Sequence, residues 1–586
     1  MEVRKLIIER FRGIQSCEWN LRSRIVCIVG SGGTTKTTLL DAIGLALSRS
    51  YRPQFTDADF WRGDTSSPVR ITVAVTQPPR ELITEATFGL ERSGIGPDGT
   101  LHHDPIQDTE PCLLIRLQVD SSLEPIWTVV RPDEEDGRPI TAGQRAKLGF
   151  FRLGEDVDAH LRWGRSSALS ALTESQSDAA SVVLDAHRHA RNAAFGLGNA
   201  SLQHAADTVK RTAQALGARA YDTLRAGLDA VGSSSAGLVL HNDTIPLTRE
   251  GLGTRRLTSL AIQNEAVEGG SIIAIDEVEH GLEPHRLVHL LHRLRVFAEA
   301  QEIQVFLTTH SELTATALRA QDLVVARSHG GVTTVSGVDG SLDEVQGTVR
   351  SAPAALLARR IIVVEGSTEV GFVRQLCRHW ETRDVDGRGQ LTAATAGLAV
   401  VNGGGGASAA QRTKVFVSLG YPCALLLDND DRSVDSAVAE AEASGATLIR
   451  WTGGRALEDE IVHELDDEGV RRFVEVAAES LGEESVRDRI ADRLGVSQRI
   501  GLDPKSWRDD DHDDGAIRTA IACAATGRSL NADGTIGRQE AKRGWFKRED
   551  GGEELAHLVC AHGAALRETH LARQLVQLRR FVYVNP

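Results

Sequence analysis

Several things this chain lacks narrow its function before any motif is read. Its 586 residues hold only seven cysteines, Cys17, Cys27, Cys112, Cys377, Cys423, Cys523 and Cys560. No two of them have the C-x-x-C spacing of a zinc or redox site. Cys27 lies in the apolar run Ile25–Val29, where a thiol behaves as a small hydrophobe. No apolar run approaches the roughly 20 residues needed to span a bilayer, so no helical membrane span is expected. The opening residues, Met1 to Lys5, lead into a mixed polar segment without a signal-peptide core, which makes a cytoplasmic location the expectation. A basic excess is missing as well: 66 Lys and Arg against 81 Asp and Glu give a net charge of −15. That excludes a wholly basic nucleic-acid surface, since phosphate contacts draw on Lys and Arg. It leaves room for a local one, because a metal nuclease collects carboxylates to hold the cations that meet phosphates.

What is present reads as an α/β protein of more than one domain, since single cores rarely grow past roughly 250–300 residues. Val3–Ile14 predicts a strand ending in a turn at Phe11, Arg12 and Gly13. The strand Ile25–Val29 then meets a Gly/Thr-rich loop and a helical segment, Leu39–Leu47, which opens an α/β unit. Further strands are predicted at Val69–Val75, Leu113–Val119, Leu238–His241, Ser271–Ile275 and Gln304–Thr308. From about Asp156 to Val231 the chain has no proline, and Val182, Val183, Ala186, Ala190 and Ala193 recur at helical spacing. This predicts a helical insertion, either a packing element or a dimerisation arm. A second α/β series has strands at Ile361–Val364, Leu398–Val401, Cys423–Leu427 and Thr447–Trp451. The first three are continuous apolar runs, as parallel strands buried on both faces require. The boundary falls near Thr348–Pro353, giving domains of 1–350 and 354–586. Beyond about Asp466 the tail reads as helical, broken by the acidic run Asp509–Asp514.

The loop from Gly30 to Thr38 lies between a buried strand and a helix, so its backbone N–H groups and the helix N-terminus suit phosphates. Gly30, Gly33 and Thr38 belong to this cradle. Lys36 would reach the outer phosphates of ATP and Thr37 would ligate its Mg²⁺. One position departs from G-x-x-x-x-G-K-[ST]: Thr35 stands where the pattern has glycine. Ser271–Ile275 ends in Asp276, suited to the Mg²⁺ water shell, and Glu277, suited to orient or deprotonate water. His310 follows the strand Gln304–Thr308, and Gly251–Arg256, with Gly253, precedes the Asp276 strand. Loop, Gly253 segment, Asp276-Glu277 and His310 resemble, in that order, the loop, signature, Walker B and switch histidine of ABC/SMC/Rad50-like ATPases. The resemblance implies closure of nucleotide between two copies. Thr35 leaves both hydrolysis and binding without hydrolysis open.

The second series ends its first strand at Glu365 and continues through Gly366 and Thr368 to Glu369; its third strand ends at Asp428, Asn429 and Asp430. Carboxylates at the C-terminal ends of parallel strands converge on one crevice. Hard oxygen ligands select Mg²⁺ or Mn²⁺, and two cations about 3.5–4 Å apart can serve both ends of an in-line displacement. Glycines at 403–406 would let backbone approach the site closely. The pair E-G-x-T-E and D-x-D resembles the Toprim domain of topoisomerases, primases and OLD nucleases, here a Rossmann-like parallel sheet with a helical C-terminal part.

The order ATPase then Toprim is similar to OLD nucleases, including the ATPase-nuclease subunit of Gabija defence systems. That resemblance implies a metal set of Glu365, Glu369, Asp428 and Asp430, with Glu458 of the Leu457–Glu460 segment as a further ligand or a helix cap. It implies a phosphate-stabilising lysine, Lys547 first and Lys542 second. It implies a nucleotide-regulated DNA endonuclease in bacterial anti-phage defence, a homodimer or higher oligomer, with a helicase-like partner as an open expectation. A metal role for Asp509–Asp514 with His512 is less expected than a solvated loop, because blocks of like charge repel. Topoisomerase chemistry is disfavoured by the four tyrosines and the lack of a domain presenting one. A Rad50-like repair ATPase, or a nucleotide-sensing scaffold with an inactive Toprim domain, is the alternative.

Overall fold

A computed structural model describes residues 1–48, 53–153, 157–163, 167–172, 200–228, 238–265, 272–338, 343–381, 392–496, 501–508, 512–531, 535–539 and 544–584. The chain divides into two units, Met1–Leu357 and Ala358–Pro586.

In the first unit, all five residues of Ile25–Val29 are buried. That strand lies between Gln304–Thr308 and Leu323–His329, parallel to both. Ile272–Ile275 and then Phe150–Leu153 extend the parallel set on one side. On the other side the sheet turns largely antiparallel through Val332–Gly337, Ile14–Asn20, Glu2–Phe11, Val69–Thr76 and Glu110–Val119. The expected strand and turn over Val3–Ile14 are the first arm and the corner of a hairpin, Glu2–Phe11 paired with Ile14–Asn20, with Arg12 at a left-handed φ of 48° before Gly13. Helix Lys36–Ala46 buries Leu39, Leu40 and Ile43 in one core with Val26, Ile28, Phe150 and Phe306. Each such side chain stabilises by roughly 1.5–3 kcal/mol, which fixes the glycine loop at the end of a rigid strand–helix corner. Six of the seven cysteines are buried.

Within the predicted insertion, Ala200–Ala215 is helical. Gly217, with φ 90°, stops it, and Leu224–Leu228 is a strand antiparallel to Leu238–Asn242, so the described part of the predicted insertion is not helical throughout. The stripe from Val182 to Ala193 lies outside the described residues.

The second unit has four parallel strands in the order Leu398–Asn402, Arg360–Val364, Cys423–Leu427, Thr447–Arg450. The first strand in the chain therefore has its successor on one side and the third strand on the other. That reversal opens a crevice at the C-terminal ends of Arg360–Val364 and Cys423–Leu427. Helices Ser367–Glu381 and Glu549–Ala561 meet at backbone distance. A Cβ at Gly371 would come closer than 3.0 Å to the Glu549 carbonyl oxygen, and one at Gly552 equally close to that of Thr368. Phe372, Trp545, Phe546 and Leu555 complete the core around this crossing. Among the described residues no helix is long and apolar enough to cross a membrane.

Candidate nucleotide and metal sites

The loop after Ile25–Val29 is held by unusual backbone. Gly30 has φ 145°, and a Cβ there would lie 2.6 Å from the Ala326 carbonyl oxygen; Gly33 has φ 79°. Thr35 has φ 63° and ψ 17°, the left-handed region, at the position where the pattern has glycine. A residue with a Cβ costs roughly 1–2 kcal/mol there. Thr35 Oγ1 lies 3.2 Å from Thr333 Oγ1. The Lys36 ammonium is folded into the loop, donating to the carbonyls of Gly30 and Ser31 at 2.9 Å each. With Lys36 only 5% exposed, burial pushes its pKa down to about 8 despite the pull of Asp276, Glu277 and Glu279.

Thr37 Oγ1 donates to Asp276 Oδ1 at 3.3 Å, and Thr308 donates to the same oxygen. The sheet neighbours thus bring the loop and Asp276 together across 239 residues. Thr38 follows in the first turn of the helix. Glu277 turns outward with φ 45°; its N–H donates to Thr308 Oγ1 at 2.8 Å and its side chain is exposed. His310 is also exposed, and its N–H donates to Glu279 at 2.7 Å. Gly253 opens helix Leu252–Glu265 against the carbonyl of Gly281, with no space for a side chain.

Three arginines that sequence reasoning missed complete the site. Arg256 donates to the carbonyls of Asp276 and Glu277 at 2.7 and 3.0 Å. Arg152 pairs with Asp41 and lies 3.5 Å from Asp276. Arg12 joins Asp41 to Asp59. Arg12 had a signal in the Phe11–Gly13 turn and Arg256 in the Gly251–Arg256 segment; Arg152 had none.

In the second unit the expected acids do meet. Val364 pairs with Leu426, so Glu365 and Asp428 leave adjacent strands side by side. The Asp428 N–H donates to Glu365 Oε2 at 3.2 Å. Asp428 Oδ1 accepts from the N–H of Leu457 at 3.0 Å, at the start of helix Leu457–Glu464, where the helix dipole favours negative charge. Glu369 accepts from the Gly366 N–H at 2.8 Å. Glu458 is 2% exposed, and its Oε1 is buried with no hydrogen-bond partner. Lys547 Nζ is 3.9 Å from that oxygen.

Charge crowding shows in the protonation of these groups. Burial, then Glu458 and Glu365, pushes Glu369 up to about 7. Asp428 is raised well above the carboxylate range by loss of solvent and then by Glu369, Glu365 and Glu458. Glu365 is raised chiefly by burial. Lys547 is raised, first by Glu458. One ammonium faces four carboxylates, a deficit that a hard cation is suited to fill. Among the described residues no three Asp, Glu, His or Cys side chains already stand at ligating geometry around one point. The orphaned Glu458 oxygen fits a cation ligand nonetheless.

Asp430 goes elsewhere. The strand ends at Leu427, so the alternation that would set Asp428 and Asp430 on one face no longer applies. Asn429 anchors the turn, with Nδ2 donating to the Trp451 carbonyl at 2.9 Å, and Asp430 pairs with Arg528. The glycine loop packs behind Glu365: Gly403 and Gly405 donate to the carbonyls of Val364 and Glu365 at 2.7 and 3.0 Å. Lys542 and residues 509–511 lie outside the described residues. Of the rest of the acidic run, Asp513 caps helix Asp514–Thr526 and Asp514 pairs with Arg508 and Arg518.

Residues 25–315 match the family described as "AAA domain, putative AbiEii toxin, Type IV TA system". Residues 356–430, which include Glu365, Asp428 and Asp430, match "Overcoming lysogenization defect protein-like, TOPRIM domain". The class is thus an ATPase domain joined to a C-terminal Toprim domain. The pairing is consistent with the OLD family of ATPase–Toprim proteins. No curated protein matches the chain. Similar solved structures include an Smc head domain with an extended coiled coil, bound to the C-terminal domain of ScpA, from Pyrococcus furiosus. It is 13% identical with a TM-score of 0.36, covering 57% of this chain and 95% of that one. An SMC head domain from Thermotoga maritima is 12% identical with a TM-score of 0.30, covering 58% and 100%.

Proposed function

We propose that the chain is a nucleotide-regulated, divalent-metal-dependent DNA endonuclease. The observation that carries this reading is the meeting of Glu365 and Asp428, 63 residues apart, beside buried Glu369 and Glu458. Those four carboxylates would hold Mg²⁺ or Mn²⁺. When bound, such a cation acidifies an attacking water and neutralises charge on the phosphodiester. Lys547, exposed on the rim of the cluster, would bind a phosphate oxygen and stabilise the charge that grows there. In the first unit, Lys36 and Thr37 would take the phosphates and Mg²⁺ of ATP, with Asp276 behind Thr37. Glu277 and His310, both open to solvent, would face the γ-phosphate. Gly253, at the head of its helix, would cover nucleotide bound by a second copy, making a homodimer or higher oligomer the working form. Anti-phage defence is the role this reading implies.

A second reading, a nucleotide-sensing scaffold, rests on Thr35 in its left-handed conformation, a strain that could slow turnover. Plasmid nicking in Mg²⁺ and in Mn²⁺, with and without ATP, separates the two. Cutting that is lost in Asp428→Ala, with nucleotide binding retained, supports the nuclease. Supercoiled and linear DNA left intact by the wild type in both metals would replace it with the scaffold.

A further inference from the structure

Arg528 has no part in that reading, yet its position is closely fixed. Helix Asp514–Thr526 ends at Gly527, whose left-handed φ of 78° turns the chain back toward the acidic cluster. Arg528 follows as the first residue of the strand Arg528–Leu530. Its carbonyl accepts from Arg493 Nε at 2.9 Å, and the residue is 7% exposed. The guanidinium pairs with Asp430 and donates from its other nitrogen to Asp459 Oδ2 at 3.2 Å. Asp459 is 2% exposed and adjoins Glu458; Asp430 lies two residues from Asp428.

The six acids at this centre therefore fall into two sets. Among the described residues, the nearest ion pair that Glu365, Glu369, Asp428 and Glu458 make is the 3.9 Å from Lys547 to Glu458, while Arg450 and Arg528 act on Glu365 and Asp428 from farther off. Asp430 and Asp459 share one buried guanidinium. A guanidinium is always charged, and its rigid fork can engage two carboxylates at once. A second divalent cation would have to displace it, leaving a buried charge without its partners.

We propose that Arg528 is a positioning residue that reserves Asp430 and Asp459, so that the Toprim centre takes up one divalent cation tightly rather than two. This rests on the reading of Glu365, Glu369, Asp428 and Glu458 as cation ligands. Arg528 then supplies, as a fixed side chain, the second positive charge of the centre.

The test is Mn²⁺ binding to the full, nucleotide-free chain, counted by electron paramagnetic resonance. The wild type is expected to hold one tight Mn²⁺ that Asp428→Asn removes. Asp430→Asn and Asp459→Asn are expected to leave that ion's affinity within about threefold, because neither is a ligand to it. Arg528→Gln is expected to add a second tight Mn²⁺, which Arg528→Gln with Asp459→Asn loses again. Two tight ions in the wild type, or loss of the first in Asp430→Asn, would overturn the proposal. So would an unchanged count in folded Arg528→Gln. Should Arg528→Gln not fold, the Asp430→Asn and Asp459→Asn titrations decide alone. Absence of any Mn²⁺ that depends on Asp428 would instead sink the metal-site reading on which the proposal rests.

Discussion

Lys36 shows what a single side chain reveals. Its ammonium is bound to two carbonyls of its own loop, Gly30 and Ser31, and burial holds its pKa at about 8. This lies below the ordinary value of 10.5, so the folded chain binds fewer protons than the unfolded one between those values. The nucleotide-free protein should therefore gain stability as pH rises through that window. Nucleotide binding has the opposite sign, because phosphates favour the protonated lysine. ATP affinity should fall as pH rises from about 8, approaching tenfold per pH unit, with proton uptake on binding. Titration of a fluorescent ATP analogue from pH 7 to 10 checks this, and a flat dissociation constant would contradict it. The placement of Lys36 in its loop and of Thr37 against Asp276 was legible in the sequence, because the pattern that resembles a phosphate cradle has fixed residue types at fixed spacing. The partners of Arg256 and Arg528 were not: no local pattern links Arg528 to Asp459, 69 residues away.

At the scale of elements, continuous apolar runs marked the buried parallel strands Ile25–Val29, Arg360–Val364 and Cys423–Leu427, but the run at Leu398–Val401 is an edge strand and only partly buried, because it has a neighbour on one side alone. The limit of the insertion's helix was less legible, because Ala- and Leu-rich sequence continues past Gly217 and only pairing with Leu238–Asn242 decides for strand. The crossing of Ser367–Glu381 with Glu549–Ala561 was not legible at all. Gly552 sits inside a helix, where alanine would be favoured by roughly 0.8–1 kcal/mol, and only the facing Thr368 carbonyl explains it. This crossing carries Thr368, whose hydroxyl donates to the Phe546 carbonyl, and so sets Lys547 beside Glu458. Gly552→Ala should therefore destabilise the chain by about 1–3 kcal/mol, as overpacking does. Urea unfolding measures it; stability equal to or above the wild type would show that the helices do not touch there.

For the whole molecule, the net charge of −15 and the crowded carboxylates belong to one account. Acids are retained in a half-buried crevice, at a cost to their ionisation, where a cation offsets their repulsion. The cost was not legible in the sequence, which brings the acids to one crevice at strand ends but does not show how deeply they are buried or how closely they crowd. The decisive measurement is a double-mutant cycle on Mn²⁺ affinity using Glu365→Gln, Asp428→Asn and the two combined. If both side chains hold one ion, the double variant should lose little more than the weaker-binding single variant. Losses that simply add, within about 0.5 kcal/mol, would mean the two carboxylates act at separate places, and the shared cation site would be wrong.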